Sequence, residues 1–355
     1  MKEKNSSKTD LKSLTLEELT AEVTALGEKP FRARQLYQWM HQKLARDYEE
    51  MTNLPKAFRE TLQERYAFTA HTLVERRVSK LDGTEKYLFG LKDGNVIESV
   101  LMRYQFGNSV CISSQVGCRM GCRFCASTIG GLTRNLLPSE MLDQIYAIQR
   151  LTGERVSHVV VMGTGEPLDN YDNLLRFLRL LTDEHGLHIS QRNITVSTCG
   201  LTERIRQLAE EKLQITLALS LHAPSQEKRK ELMPVASKYE LSEVLDACRY
   251  YFEQTGRRVT FEYSLVSGVN ASAEEARELA RLLDGMNCHI NLIPVNPVRE
   301  RKYVQPDRRE ILAFKNVLEK CGKTVTIRRE MGRDIAGACG QLRKGYMEKS
   351  EQANL

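Results

Sequence analysis

The sequence predicts an α/β protein: an incomplete (βα)6 barrel, preceded by a small N-terminal helical accessory domain and a linker that contains a β-hairpin. Three observations carry this expectation. From Val110 onward, short β-branched runs alternate with amphipathic helical stretches, which specifies a parallel sheet. Short polar or Gly-rich loops follow those runs, at the strand ends where barrels gather their active sites. Residues 14–67, by contrast, carry helical periodicity alone.

Taken in order, residues 14–26 form a helical stretch stopped by Gly27, Pro30 opens a second that runs to residue 44, and Pro55 opens a third over 57–66. The period then changes. Residues 74–78 alternate, and 86–91 and 96–102 flank Asp93-Gly94 as the two arms of a tight hairpin. Core strands are expected at 110–113, 156–162, 193–197, 215–220, 259–265 and 290–295. Helices are expected at 139–151, 172–183, 201–212, 240–254, 272–285 and 308–320. Six βα units are too few to close an eight-stranded barrel. A doubly wound sheet is the rival that periodicity leaves open. The chain divides on this reading into an accessory domain at 1–70, a linker at 71–104, the core at 105–335, and a C-terminal loop and tail at 336–355.

Composition narrows the class. With 355 residues, 41% hydrophobic and 28% charged, the chain can bury a full core and is too polar for a membrane protein. An odd set of nine cysteines, a polar start and no long apolar run argue against a disulfide scaffold, secretion or a membrane span, and point to a reducing cytoplasm. The net charge of +6 permits a polyanionic partner, but residues 1–90 hold only a small share of the excess, so any RNA contact must come from local clusters.

The sharpest motif is Cys118-Arg-Met-Gly-Cys122-Arg-Phe-Cys125, just after the first core strand. Three thiolates on one short loop can converge on a soft metal centre. A structural zinc site would normally close with a fourth Cys or His, and none stands at finger-like spacing downstream. A four-iron cluster held by three cysteines instead leaves one iron open for chemistry.

This spacing resembles that of radical S-adenosylmethionine (SAM) enzymes, and the resemblance continues along the chain. Cys111-Ile-Ser-Ser-Gln-Val-Gly-Cys118, Gly163-Thr-Gly-Glu-Pro167, Ser220-Leu-His222, Leu292-Ile-Pro-Val-Asn-Pro297 and Ala338-Cys-Gly-Gln-Leu342 are together similar to the RlmN/Cfr family of radical SAM RNA methyltransferases. The resemblance implies a radical SAM barrel, a [4Fe-4S] cluster on Cys118, Cys122 and Cys125, and S-adenosyl-L-methionine held by Gly165, Glu166, Ser197, Ser220, Leu221, His222 and Asn296. It implies methylation of carbon 2 of adenosine 2503 in 23S rRNA and of adenosine 37 in tRNAs, with two SAM per turnover. Carbon 2 of adenine lies between two ring nitrogens and is no nucleophile, so ordinary displacement on SAM fails there and the cofactors must supply radical chemistry.

The family's roles then fall on Cys339 as the S-methylcysteine carrier, on Cys111 as the thiol that resolves the covalent adduct through a transient disulfide, and on Glu98 as the general base. Outside that resemblance, a lone Glu in an alternating strand usually faces solvent, and Cys199, Cys248, Cys288 and Cys321 read as packed small hydrophobes. Gly163 and Gly165 read as allowing close backbone approach to the cofactor, while Met120 and Phe124 read as packing.

Candidate phosphate contacts are Arg299, Arg301, Lys302, Arg308, Arg309, Arg328 and Arg329, with Arg32, Arg34, Lys43 and Arg46 in the accessory domain. An adenine modified at carbon 2 must be unstacked, so flexible or single-stranded RNA is the expected substrate form. The reaction further implies an electron donor such as flavodoxin or ferredoxin, and a cytoplasmic monomer. Two rivals remain: Cfr-type methylation at carbon 8, against which Pro167 stands where Cfr-like chains tend to carry Ala, and a non-catalytic zinc-stabilised RNA-binding protein.

Overall fold

The computed structural model describes residues 8–296, 302–335, 342, 345 and 346. Three helices lead: α1 (Leu16–Ala25), α2 (Phe31–His41) and α3 (Lys56–Arg65). Thr15 and Glu18 start α1 with a capping box, each side chain accepting the other's backbone N–H. Four strands follow as an antiparallel meander: β1 (Thr72–Val78), β2 (Glu85–Gly90), β3 (Val96–Tyr104) and β4 (Gly107–Cys111). A separate two-stranded ladder, β5 (Gln115–Gly117) with β6 (Leu132–Asn135), brackets the cysteine loop.

The remainder alternates: α4 (Pro138–Thr152), β7 (Val156–Val161), α5 (Tyr171–Thr182), β8 (Ile194–Thr198), α6 (Thr202–Glu210) and β9 (Thr216–Ser220). Then come α7 (Gln226–Leu232), α8 (Leu241–Thr255), β10 (Val259–Leu265), α9 (Ala273–Leu282), β11 (Cys288–Pro294), α10 (Arg308–Lys320) and β12 (Val325–Ile327).

Among the described residues one ten-stranded sheet runs in the order β1-β2-β3-β4-β7-β8-β9-β10-β11-β12, parallel from β4 onward, with β1 and β12 as unpaired edges. Each parallel strand is added on the same side of its predecessor. A doubly wound sheet reverses direction at a switch point, so this order excludes that rival and fits an open barrel of six βα units. Two features were not legible beforehand. The hairpin is continuous with the main sheet, because β3 passes through a short turn into β4 and pairs with it from Val100↔Cys111 to Tyr104↔Gly107. The sheet also gains β12, whose three residues are too few to show a period.

One apolar core extends from Leu11 through the leading helices to Leu318 in α10. A buried ion pair fastens the N-terminal segment to that core. The Lys12 ammonium, with no exposed surface, lies 3.1 Å from Asp143 on α4 and donates to the Thr69 carbonyl at 2.6 Å. Burial pushes the Asp143 pKa up, but Lys12, His71 and Arg150 outweigh it and hold the carboxyl well below the usual range. Without Lys12 the buried Asp143 keeps Arg150 at 3.3 Å and the His71 N–H at 2.6 Å but loses its closest cation. Lys12→Met is therefore expected to destabilise the chain by about 1–3 kcal/mol in urea unfolding. Equal midpoints for the wild type and the variant would contradict this account.

Candidate active site

The carboxyl ends of the parallel strands surround a cavity of about 620 Å³, within the ~300–1,000 Å³ typical of ligand pockets. Cys118, Cys122 and Cys125 all line it. Backbone contacts fix their loop. The Cys118 N–H donates to the Gly131 carbonyl at 2.9 Å, the Arg123 N–H to Leu232 at 2.9 Å, and the Thr128 hydroxyl to the Cys122 and Cys125 carbonyls at 3.0 Å each. Gly117 is required where the loop begins: its φ is 79°, and a Cβ there would lie 2.1 Å from the Gly131 oxygen.

Without a cation Cys118 and Cys122 hold their protons. Burial, reinforced by Glu166, Cys125 and Asp169 and opposed by the Met120 N–H, pushes Cys118 up to about 12, and burial pushes Cys122 up as well. A metal that binds here must displace those protons. Among the described residues no group of three or more His, Cys, Asp or Glu is gathered closely enough to share one ion. Three thiols lining one cavity suit a cluster, in which each thiolate takes its own iron.

The turn after β7 forms the next wall, with Gly165 and Glu166 lining the cavity. The glycines allow the close backbone approach that the sequence suggested, here to the chain itself. A Cβ on Gly163 would lie 2.6 Å from the Ile112 oxygen, and one on Gly165 2.8 Å from the Gln115 nitrogen. They admit the chain's own β4–β5 connection, which closes on the turn through the Gly163 N–H to Ile112 and the Ser114 and Gln115 N–H groups to Thr164. Glu166 is buried and accepts from the Leu168 N–H at 3.1 Å and the Cys199 N–H at 2.8 Å. Burial raises its pKa against those hydrogen bonds. The Thr198 hydroxyl and the Cys199 thiol also hydrogen-bond to it, so its acceptor directions are largely used within the chain.

Ser197 and Ser220, at the ends of β8 and β9, line the cavity with hydroxyls 3.4 Å apart. His222 adopts φ 59° and accepts the Ser264 N–H on Nδ1 at 2.9 Å, while Phe124 meets its ring edge-on at 4.9 Å. Burial, with help from the Arg229 cation, depresses the imidazole to about 3, so the ring is neutral and carries its proton on Nε2. Asn296 also lines the cavity, whereas Leu221 does not: its side chain is fully buried and its N–H donates to the Glu262 carbonyl. Phe124 and Met120, expected only to pack, form part of the wall.

Cys111, buried at the end of β4, reaches the same cavity and clusters with Val100 and Met102. Glu98 is not solvated, as a lone strand Glu would be. It is 3% exposed, lies 3.1 Å from the fully buried Lys86 ammonium, and shares a strand face with Val100 and Met102. Glu98 itself is outside the cavity lining. Cys339 lies outside the described residues, as do Arg299 and Arg301. Arg328 and Arg329 line the cavity. Sequence reasoning missed Glu262 and Ser264 on β10, which also line it; their only signal was the inward register of that strand.

An open parallel barrel with a three-cysteine loop at its carboxyl rim defines a radical SAM enzyme, a class that uses a [4Fe-4S] cluster and SAM. Comparison with known proteins agrees. Residues 9–67 match the ribosomal RNA large subunit methyltransferase N-terminal domain, and 112–283 the radical SAM superfamily. The chain is 64% identical over 346 residues to a probable dual-specificity RNA methyltransferase RlmN of Lachnospira eligens, covering 98% of this chain and 99% of that one. It is 63% identical over 350 residues to the corresponding protein of Lachnoclostridium phytofermentans, covering 98% of each. The crystal structure of a radical SAM methyltransferase from Sphaerobacter thermophilus superposes with a TM-score of 0.90 at 45% identity, covering 94% of this chain and 98% of that one. The chain belongs to the RlmN family of dual-specificity RNA methyltransferases. No helix among the described residues is long and apolar enough to cross a membrane.

The state of His222 generates a prediction. The unfolded chain binds a proton near pH 6.5 that the folded ring refuses until about pH 3, so this residue removes stability as pH falls through that window. Nitrogen NMR of the labelled apo chain should show His222 neutral and Nε2-protonated from pH 8 to pH 5, and a midpoint near 6.5 would contradict the assignment.

Proposed function

We propose that the chain methylates carbon 2 of an adenosine in 23S rRNA, adenosine 2503, and of adenosine 37 in tRNAs, in the cytoplasm. The observation that carries this reading is the convergence of Cys111 with Cys118, Cys122 and Cys125 on one cavity. When bound, the cluster and SAM supply one-electron chemistry able to functionalise a carbon that has no lone pair to offer.

The chain's own residues do the rest. Cys118, Cys122 and Cys125 ligate the cluster and leave one iron to the cofactor. Glu166, on the cavity wall, receives the SAM ammonium, while Ser197, Ser220, the Nε2–H of His222 and Asn296 orient the rest of the molecule. Gly165 lines the wall beside Glu166. Cys339 carries the methyl group as a thioether, and Glu98, held opposite Lys86, takes the ring proton. Cys111 attacks the sulfur of Cys339 to free the product, leaving a disulfide that an external thiol reduces. Residues 1–70 act as an RNA-contacting accessory domain, the basic residues along the chain meet phosphate, and a low-potential donor such as flavodoxin or ferredoxin supplies electrons to a monomer.

Anaerobically reconstituted protein, given SAM, a reductant and an rRNA fragment, should yield 2-methyladenosine by nucleoside mass spectrometry. Product at carbon 8 alone would overturn the assignment. In the same assay Cys111→Ala should accumulate RNA crosslinked to protein, whereas clean turnover by that variant would refute its role.

A further inference from the structure

The most deeply buried cation near the cavity is one that the reaction does not use. Arg229 on α7 has no exposed surface, yet its guanidinium makes a single hydrogen bond, from Nη2 to the Cys199 carbonyl at 2.5 Å. Nε and Nη1 are enclosed and find no acceptor among the described residues. Among the described residues no carboxylate compensates the charge. The groups that act on it electrostatically are Cys199, Cys122 and Cys248, thiols that offer no resident anion. A guanidinium stays protonated even when burial disfavours it, so this charge remains in the protein interior uncompensated.

Its position is specific. The helix that carries it is tied to the cysteine loop, since the Arg123 N–H donates to the Leu232 carbonyl at the end of α7. The carbonyl it holds belongs to Cys199, whose N–H donates to Glu166. One buried cation is thus tied to the turn that carries Glu166 and borne on the helix that supports the loop.

We infer that Arg229 is the counter-charge of the iron–sulfur cluster, a positioning residue that stabilises the cluster's reduced state. The inference rests on ligation of the cluster by Cys118, Cys122 and Cys125, and is independent of which adenine carbon is methylated. Three thiolates leave the assembly anionic, and reduction adds one more negative charge. A fixed cation in a low-dielectric interior favours that added charge and raises the reduction potential. The electron comes from the external low-potential donor, and the guanidinium neither gains nor loses a proton.

The test compares wild type, Arg229→Lys and Arg229→Met as apo and anaerobically reconstituted full-length chains. Iron and sulfide content is measured first, because failure of the wild type to bind a cluster would sink the ligation and not the role of Arg229. In EPR-monitored redox titration, Arg229→Met should lower the equilibrium constant for reduction by about tenfold, which is 59 mV for one electron, and Arg229→Lys should keep most of it. Apo Arg229→Met should melt no lower than the apo wild type, because removing an uncompensated buried charge outweighs losing its one charge-assisted hydrogen bond. Failure of that variant to retain a cluster, with apo stability intact, supports the inference. An unchanged potential, or an apo chain that melts lower, overturns it.

Discussion

The loop from Cys118 to Cys125 has to present three thiols to one space while keeping them from folding into the core as ordinary hydrophobes. Neighbouring backbone meets that constraint: Gly131 anchors the loop at its start, the end of α7 at its middle, and the Thr128 hydroxyl at Cys122 and Cys125. Two of these anchors, Thr128 and Gly131, lie in the segment just after the loop, and the third is on α7, so the loop is held both locally and by the barrel. Gly117 shows how tight the arrangement is, since no side chain fits between it and Gly131.

The rest of the rim follows from the same economy of backbone. Gly163 and Gly165 let the turn after β7 lie against the end of β4, which brings Glu166 to the cavity beside the loop, and the sharp turn at His222 fixes an imidazole whose tautomer is set by Ser264. The cavity is lined by hydroxyls, an imidazole, several thiols, the buried carboxyls of Glu166 and Glu262, and the cations Arg328 and Arg329. Such a lining offers acceptors to a cationic group and donors to an anionic one.

Local signals were legible in the sequence. The cysteine spacing, the Gly-Glu-Pro turn and the βα alternation depend on residues close together in the chain, and each appears where it was expected. Glu98 needed the family resemblance, because its burial depends on Lys86 arriving from the adjacent strand and on β3 joining the main sheet. Arg229 could not be found at all. The stretch Gln226-Glu-Lys-Arg-Lys-Glu231 reads as a solvated helix, and only the packing of α7 against the cysteine loop turns one of its cations inward. Lys12 is hidden in the same way, since its partner Asp143 lies far along the chain. Pairing of charges across long separations is set by topology, to which composition and period are blind.

A crystal structure of the anaerobic, cluster-loaded chain with SAM bound tests the central claim most directly. It should show iron on Cys118, Cys122 and Cys125, SAM between the Glu166 turn and His222, and the sulfurs of Cys111 and Cys339 facing the same cavity. Iron bound elsewhere, or the Cys339 sulfur on the opposite side of the sheet from Cys111, would contradict it.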